Sequence, residues 1–198
     1  MRRVRLLLWI AVGLAAVGGI FLALNPPAPI TERSQQLPLD TLGGPFTLVG
    51  SDGQPFSSSR LAGKPAAVFF GFTNCPDVCP TTLARLAQLR KQVGKGDEGF
   101  SIVFISVDPE RDRPEDVGRY ARLFDTPIVG LTGNPAQIER VKNQFGVFSQ
   151  KVPTPGGGYS VDHTATVFLL DRNGKFVATL APDEGNPAAL DKLRRIAA

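Results

Sequence analysis

This chain holds few side chains that bind soft metals or carry thiol chemistry. Its 198 residues include two cysteines, one histidine and one methionine, and that methionine is residue 1. A zinc module of paired ligands normally needs a second pair beyond one C-x₂₋₄-C unit, and no second pair exists here. Charge of one sign is also scarce. Lys and Arg number 22 against 18 Asp and Glu, and Arg2, Arg3 and Arg5 supply three of the four excess positive charges. The remainder is balanced, so the basic footprint expected of a nucleic-acid-binding domain is missing. No internal repeat is visible, and nothing points to a collagenous, low-complexity or disordered class. At 42% hydrophobic residues the chain has enough apolar material for one well-filled domain and an extension.

One long apolar run is present. Residues 6–24, LLLWIAVGLAAVGGIFLAL, carry no charged or strongly polar group. As a helix this run would extend roughly 28 Å, close to the hydrocarbon thickness of about 30 Å. A cleavable signal peptide has a shorter apolar region and a small-x-small site, and FLALNPP offers no clean one. The run therefore reads as a single uncleaved transmembrane anchor following a cytoplasmic basic tail, residues 1–5. In a bacterium this places the remainder in the periplasm, anchored to the inner membrane, where a close cysteine pair tends to oxidise unless reduced or metallated. Residues 25–44 contain four prolines and no apolar period, which reads as a stiff tether. The domain is expected over 45–198.

Within that domain strands and helices alternate. PFTLVGSDGQPFSSS suggests a hairpin turning at Asp52-Gly53. AAVFFGF (66–72) and SIVFISVD (101–108) are continuous apolar runs that suit strands buried on both faces. Helices are expected from about Pro80 to Val93, from Asp112 with Pro114 at the first helical position to about Leu123, from an Asn134-to-Gln137 capping box to Phe145, and from Asn186-Pro187 onward. TATVFLLDRNGKFVATL reads as two strands around a turn, with His163 leading into the first. The sum is an α/β three-layer fold with an N-terminal hairpin.

Both cysteines lie in FTNCPDVCPTT, between the strand at 66–72 and the helix after it, where open α/β sheets place their chemistry. A helix start favours a thiolate and lowers its pKa. With three intervening residues, Cys75 and Cys79 can converge on one point. The pair alone permits a disulfide, thiol exchange, attack on peroxide or metal binding. A purely structural staple gains little from so small a loop, and no peroxidatic threonine–cysteine arrangement precedes Cys75. Outside the anchor, every soft or borderline ligand is Cys75, Cys79 or His163. Two thiolates and an imidazole suit copper, with open-site zinc the nearest rival. A lone histidine is more often a surface or hydrogen-bonded residue. Asp77 reads equally as a loop-turn residue or a neighbour of the metal, and Asp162 as a strand start or an orienting carboxylate for His163. Asp108 is a turn former or part of the rim. Phe69, Phe70 and Phe72 read as core and rim packing.

FFGFTNCPDVCPTTLARL, FISVDPERDRPE and GYSVDHTATVFLLDRNGKF, in that order, resemble the Sco/SenC family. The resemblance covers nearly all of 45–198. It implies a thioredoxin-like fold and a membrane-anchored copper chaperone for cytochrome c oxidase assembly. It makes Cys75 and Cys79 the copper-binding and redox-active cysteines, His163 the third ligand, and Asp162 part of an Asp-His pair. The implied cargo is Cu(I) or Cu(II). The implied client is the copper A centre of oxidase subunit II, with a copper-donor chaperone and a thiol reductant as further partners. It also leaves open thiol–disulfide oxidoreductase activity toward the client's cysteines. The glycine-rich segment before Asp162 is expected to be mobile without metal.

Overall fold

The computed structural model describes residues 42–198, together with Trp9 and Leu14, both in helical backbone. The chain divides into two compact units, Met1–Gln36 and Leu37–Ala198. Among the described residues no helix is long and apolar enough to cross a membrane. The expected basic tail, the anchor at 6–24 and most of the tether lie outside them, those two positions and residues 42–44 excepted. Backbone contacts of the second unit already begin at Gly43, which bridges to Lys175 and donates to the Gln144 carbonyl at 2.8 Å.

Nine strands and four α-helices are described. They are β1 (Thr47–Gly50), β2 (Pro55–Ser57), β3 (Ala66–Gly71), α1 (Val78–Val93), β4 (Ser101–Ser106), α2 (Pro114–Ala121) and β5 (Ile128–Thr132), then α3 (Pro135–Phe145), β6 (Ser149–Pro153), β7 (Tyr159–His163), β8 (Val167–Leu170), β9 (Phe176–Leu180) and α4 (Asn186–Ala197). Seven strands form one mixed sheet in the order β2-β1-β5-β4-β3-β8-β9. β3, β4 and β5 run parallel, while β1 and β8 join antiparallel on either side. Every residue of β3 is buried, as the unbroken apolar run requires of a strand covered on both faces. Its alternation sorts the two layers. Phe70 packs with Phe145 of α3 and Phe168 of β8 at 5.3 and 5.9 Å, while Phe69 and Gly71 face α1 and the cysteines. Each such fully buried phenylalanine contributes about 1.5–3 kcal/mol.

The expected hairpin, the two buried strands and the α3 capping box are present. Asn134 and Gln137 exchange side-chain bonds of 2.9 Å with each other's backbone N–H. Four features differ from the sequence reading. Helix α1 begins at Val78, two residues before Pro80, so Cys79 lies inside its first turn. Asp112 does not open α2. Arg113 holds the N-cap position and its backbone N–H donates to the Asp116 carboxylate at 3.1 Å, while the Asp112 carboxylate is buried and turned toward the cysteine loop. Strand β5 was not among the expected elements. Gly130 allows a close crossing, since a Cβ there would lie 2.9 Å from the Val117 carbonyl of α2. Finally, His163 ends a strand rather than starting one. It terminates β7, which pairs with β6 in a two-stranded ribbon separate from the main sheet.

Candidate metal and thiol site

The parallel sheet and the helix after β3 create the site. Cys79 heads the buried stripe of α1 that continues through Leu83, Leu86, Ala87 and Arg90, at the spacing of one helical face. Its sulfur sits against the end of β3. A Cβ on residue 71 would lie 2.8 Å from Cys79 Sγ and 3.0 Å from Phe104 Cε2, so only glycine leaves the thiol this seat. Cys75 is half-buried, and its Sγ accepts from the Cys79 backbone N–H at 3.4 Å, an orphan donor of the first helical turn.

Asp112 fixes the loop between them and β3. Its carboxylate accepts from Thr73 N at 2.9 Å, Thr73 Oγ1 at 2.6 Å and Ser106 Oγ at 2.6 Å. Burial raises the Asp112 pKa above the usual carboxylate range, and those three donors only partly offset it. The carboxylate thus ties the residue two before Cys75 to the end of β4.

His163 arrives from the ribbon. Its Nε2 lies 3.5 Å from Cys79 Sγ, and its ring meets Phe69 and Phe72 edge-on at 6.1 and 5.8 Å. Nδ1 donates to the Thr164 carbonyl oxygen at 3.0 Å. A carbonyl can only accept, so Nδ1 carries the proton and the Nε2 lone pair faces the sulfurs. Burial lowers the His163 pKa, opposed by the Thr164 carbonyl and the Asp162 charge, so the imidazole is neutral at pH 7. The ligand atoms of Cys75, Cys79 and His163 all lie within 4.8 Å of one another. Sequence elimination named these three residues, and the fold brings them together.

The electrostatics differ from the helix-start expectation at Cys79. Burial, and after it the adjacent Cys75 thiol, push the Cys79 pKa well up, because desolvation there outweighs the helix terminus. Cys79 is a buried thiol that holds its proton more firmly than an exposed one, and a bound metal ion would drive its release. The two carboxylate candidates lie outside the ligand cluster. Asp77 occupies the N-cap position of α1, exposed, with Thr81 Oγ1 donating to it at 3.3 Å. Asp162 is exposed, and the partner of His163 Nδ1 is the Thr164 carbonyl.

Sequence reasoning missed Thr73, Arg111, Tyr120 and Tyr159. The Tyr120 hydroxyl is buried without a hydrogen-bond partner, its ring against Phe104 at 5.2 Å. Asp108 is fully buried and accepts from Arg111 Nε and, at 2.8 Å, from Tyr159 Oη. Its place at the end of a buried strand was the only available signal. A separate cavity of 340 Å³ is lined by Phe46, Ser58, Leu61, Ala66 and Leu170. It lies by the opposite end of β3 and holds no thiol or imidazole, so the chemistry favours the Cys-Cys-His cluster.

The SCO1/SenC family model matches residues 34–198. The chain belongs to the SCO1/SenC family. The SCO2-like protein of Rickettsia prowazekii is 34% identical over 170 residues, spanning 83% of each chain. The structure of Bradyrhizobium japonicum ScoI with copper bound is 42% identical, covers 78% of this chain and 99% of that one, and aligns with a TM-score of 0.70. The solution structure of apo Sco1 from Thermus thermophilus is 40% identical, covers 78% and 91%, and aligns at 0.69. The mixed sheet and these neighbours establish the thioredoxin-like α/β Sco fold.

Proposed function

We infer that this Sco protein is a copper chaperone that carries one copper ion on Cys75, Cys79 and His163 and delivers it during cytochrome c oxidase assembly. The convergence of two sulfurs and an imidazole Nε2 within 4.8 Å carries the reading. The donor set fits the cargo, since two soft thiolates and a neutral imidazole favour copper over hard cations. Cys79 and Cys75 give up protons on binding and His163 gives up none, so uptake releases protons and weakens as pH falls. Phe69 and Phe72 wall the imidazole on the protein side, while half-buried Cys75 leaves an approach for ligand exchange with a client. The copper A centre of oxidase subunit II is the client proposed, with a separate copper donor. Residues 6–24 support placement on the inner membrane with the domain in the periplasm.

One observation favours a second role in the same process. The thiols are unequal, one half-buried and one buried. Cys75, supported by the Cys79 N–H, can attack a client disulfide, and Cys79, passing its proton to the leaving client thiolate, then resolves the mixed disulfide. Two electrons pass to the client, which leaves as a dithiol, while a Cys75–Cys79 disulfide forms here.

Copper titration of the full chain should give one equivalent, with weaker binding in His163→Ala. A deletion strain should lose oxidase assembly and recover it when copper is added. If recovery instead requires a thiol reductant and copper has no effect, delivery is not the role. Trapping of client by Cys79→Ser as a mixed disulfide supports the second one.

A further inference from the structure

We propose that Arg111 is a positioning residue for His163, a latch that seats the histidine-bearing ribbon on the half of the site holding the cysteines. The inference rests on the three-ligand reading above. Among the described residues, β6 and β7 bond as strands only to each other. Nothing in the sheet ladder therefore fixes where His163 stands relative to Cys79. The ribbon's seat comes from its short links to α3 and β8, from Val161 packed into the core, and from polar side-chain contacts of which Arg111 is the hub.

Arg111 belongs to the loop after β4, the same segment that holds the cysteine loop through Asp112. Its Nη1 donates to the Tyr159 carbonyl at 2.7 Å. Its guanidinium carbon lies 3.8 Å from the centre of the Tyr159 ring, close-packed cation–π geometry. Nε is paired with fully buried Asp108, whose other oxygen accepts from Tyr159 Oη at 2.8 Å. Arg111 and Asp108 thereby grip both the backbone and the side chain of the first residue of β7. On the other side, the guanidinium carbon lies 5.8 Å from the centre of the Phe72 ring, and Phe72 meets the His163 imidazole at 5.8 Å. Arg111, Phe72 and His163 form a continuous line of contacts from latch to ligand, the last of them edge-on. A second pair, Lys151 with Glu110 at 2.5 Å, is exposed and adds little.

Lysine cannot replace this function. A planar guanidinium donates to Asp108 and Tyr159 while sitting over a ring, and a single ammonium cannot do all three. Loss of an outer-shell orienting group costs metal sites about 10–100-fold in affinity, and Arg111→Ala is expected in that range for Cu(I).

The test is a double-mutant cycle on the full chain, with Cu(I) affinity measured by chelator competition for wild type, Arg111→Ala, His163→Ala and the double variant. A positioning role predicts that Arg111→Ala weakens binding only while His163 is present and leaves the His163→Ala background within about twofold. Equal losses in both backgrounds, or no loss in either, overturn it. A metal-free readout runs alongside. Amide hydrogen exchange should speed up across Tyr159–His163 in Arg111→Ala and stay unchanged in α1 and β3. Unchanged exchange in the ribbon also overturns the latch. If the alanine variant does not fold, Arg111→Lys is measured in both assays with the same criteria. Should wild type fail to bind copper, or bind it no better than His163→Ala, the three-ligand reading fails, and hydrogen exchange alone decides the latch.

Discussion

The two halves of this site are built in different ways. The cysteine half is part of the fold. Cys79 sits in the buried stripe of a helix, its sulfur pressed on Gly71 of a central strand, and the loop before it is held by two hydrogen bonds from Thr73 to buried Asp112, which a third, from Ser106, ties to β4. The histidine half is an attachment. Its ribbon stands outside the main sheet and meets the body through buried Val161 and through Arg111, Tyr159 and Asp108. The cysteines cannot move apart without disturbing the core, whereas His163 can be repositioned by altering a few side-chain contacts outside the sheet ladder. A carrier that must hold an ion and then surrender it gains from this division. The thiolates supply the soft, constant part of the donor set, and the imidazole is the ligand whose presence the protein can vary.

The comparison breaks first at Asp112. Asp112→Ala should lower stability by about 1–3 kcal/mol, because Thr73 N, Thr73 Oγ1 and Ser106 Oγ lose their acceptor near the core. It should also weaken copper binding. Urea unfolding checks the first, and a change within the surface range of about 0.5 kcal/mol would mean that Asp112 does not fasten the loop.

A glycine pair sharpens the contrast. Gly71→Ala places a methyl 2.8 Å from Cys79 Sγ and should cost about 1–3 kcal/mol by overpacking. Gly156→Ala, in the turn between β6 and β7, meets nothing within 4 Å and should stay within about 0.5 kcal/mol. Similar losses from both would contradict the division into a built-in and an attached half.

The smallest effect is a pH dependence belonging to the histidine half. Burial lowers the folded pKa of His163, so the unfolded chain takes up its proton first, near about pH 6.5. Metal-free stability from this group is then fully present above that pH and declines as pH falls through the lower folded value. Unfolding curves at pH 7.5 and 5.5 should differ less in His163→Gln than in wild type. An equal difference would place the titration elsewhere.

Legibility in the sequence follows the same line. The cysteine half could be read because its signals are local, namely a continuous apolar strand, a proline-marked loop and a helix expected from about Pro80. His163 was reached only by inventory and family resemblance. Its strand could not be read, since SQKVP and YSVDH lack clear alternation and the glycines between them read as loop. β5 was hidden for a related reason, as Gly130 serves close packing against α2 rather than a turn. Asp112 followed the pattern of a helix start, yet tertiary hydrogen bonding took it. The raised thiol pKa of Cys79 depends on how deeply α1 is buried, which no local pattern states.

X-ray absorption of the Cu(I)-loaded chain, compared with His163→Ala, tests the central claim most directly. The account predicts two sulfur ligands and one nitrogen ligand in wild type, with the nitrogen lost and both sulfurs kept in the variant. A nitrogen that persists in His163→Ala, or sulfur-only ligation in wild type, would contradict it.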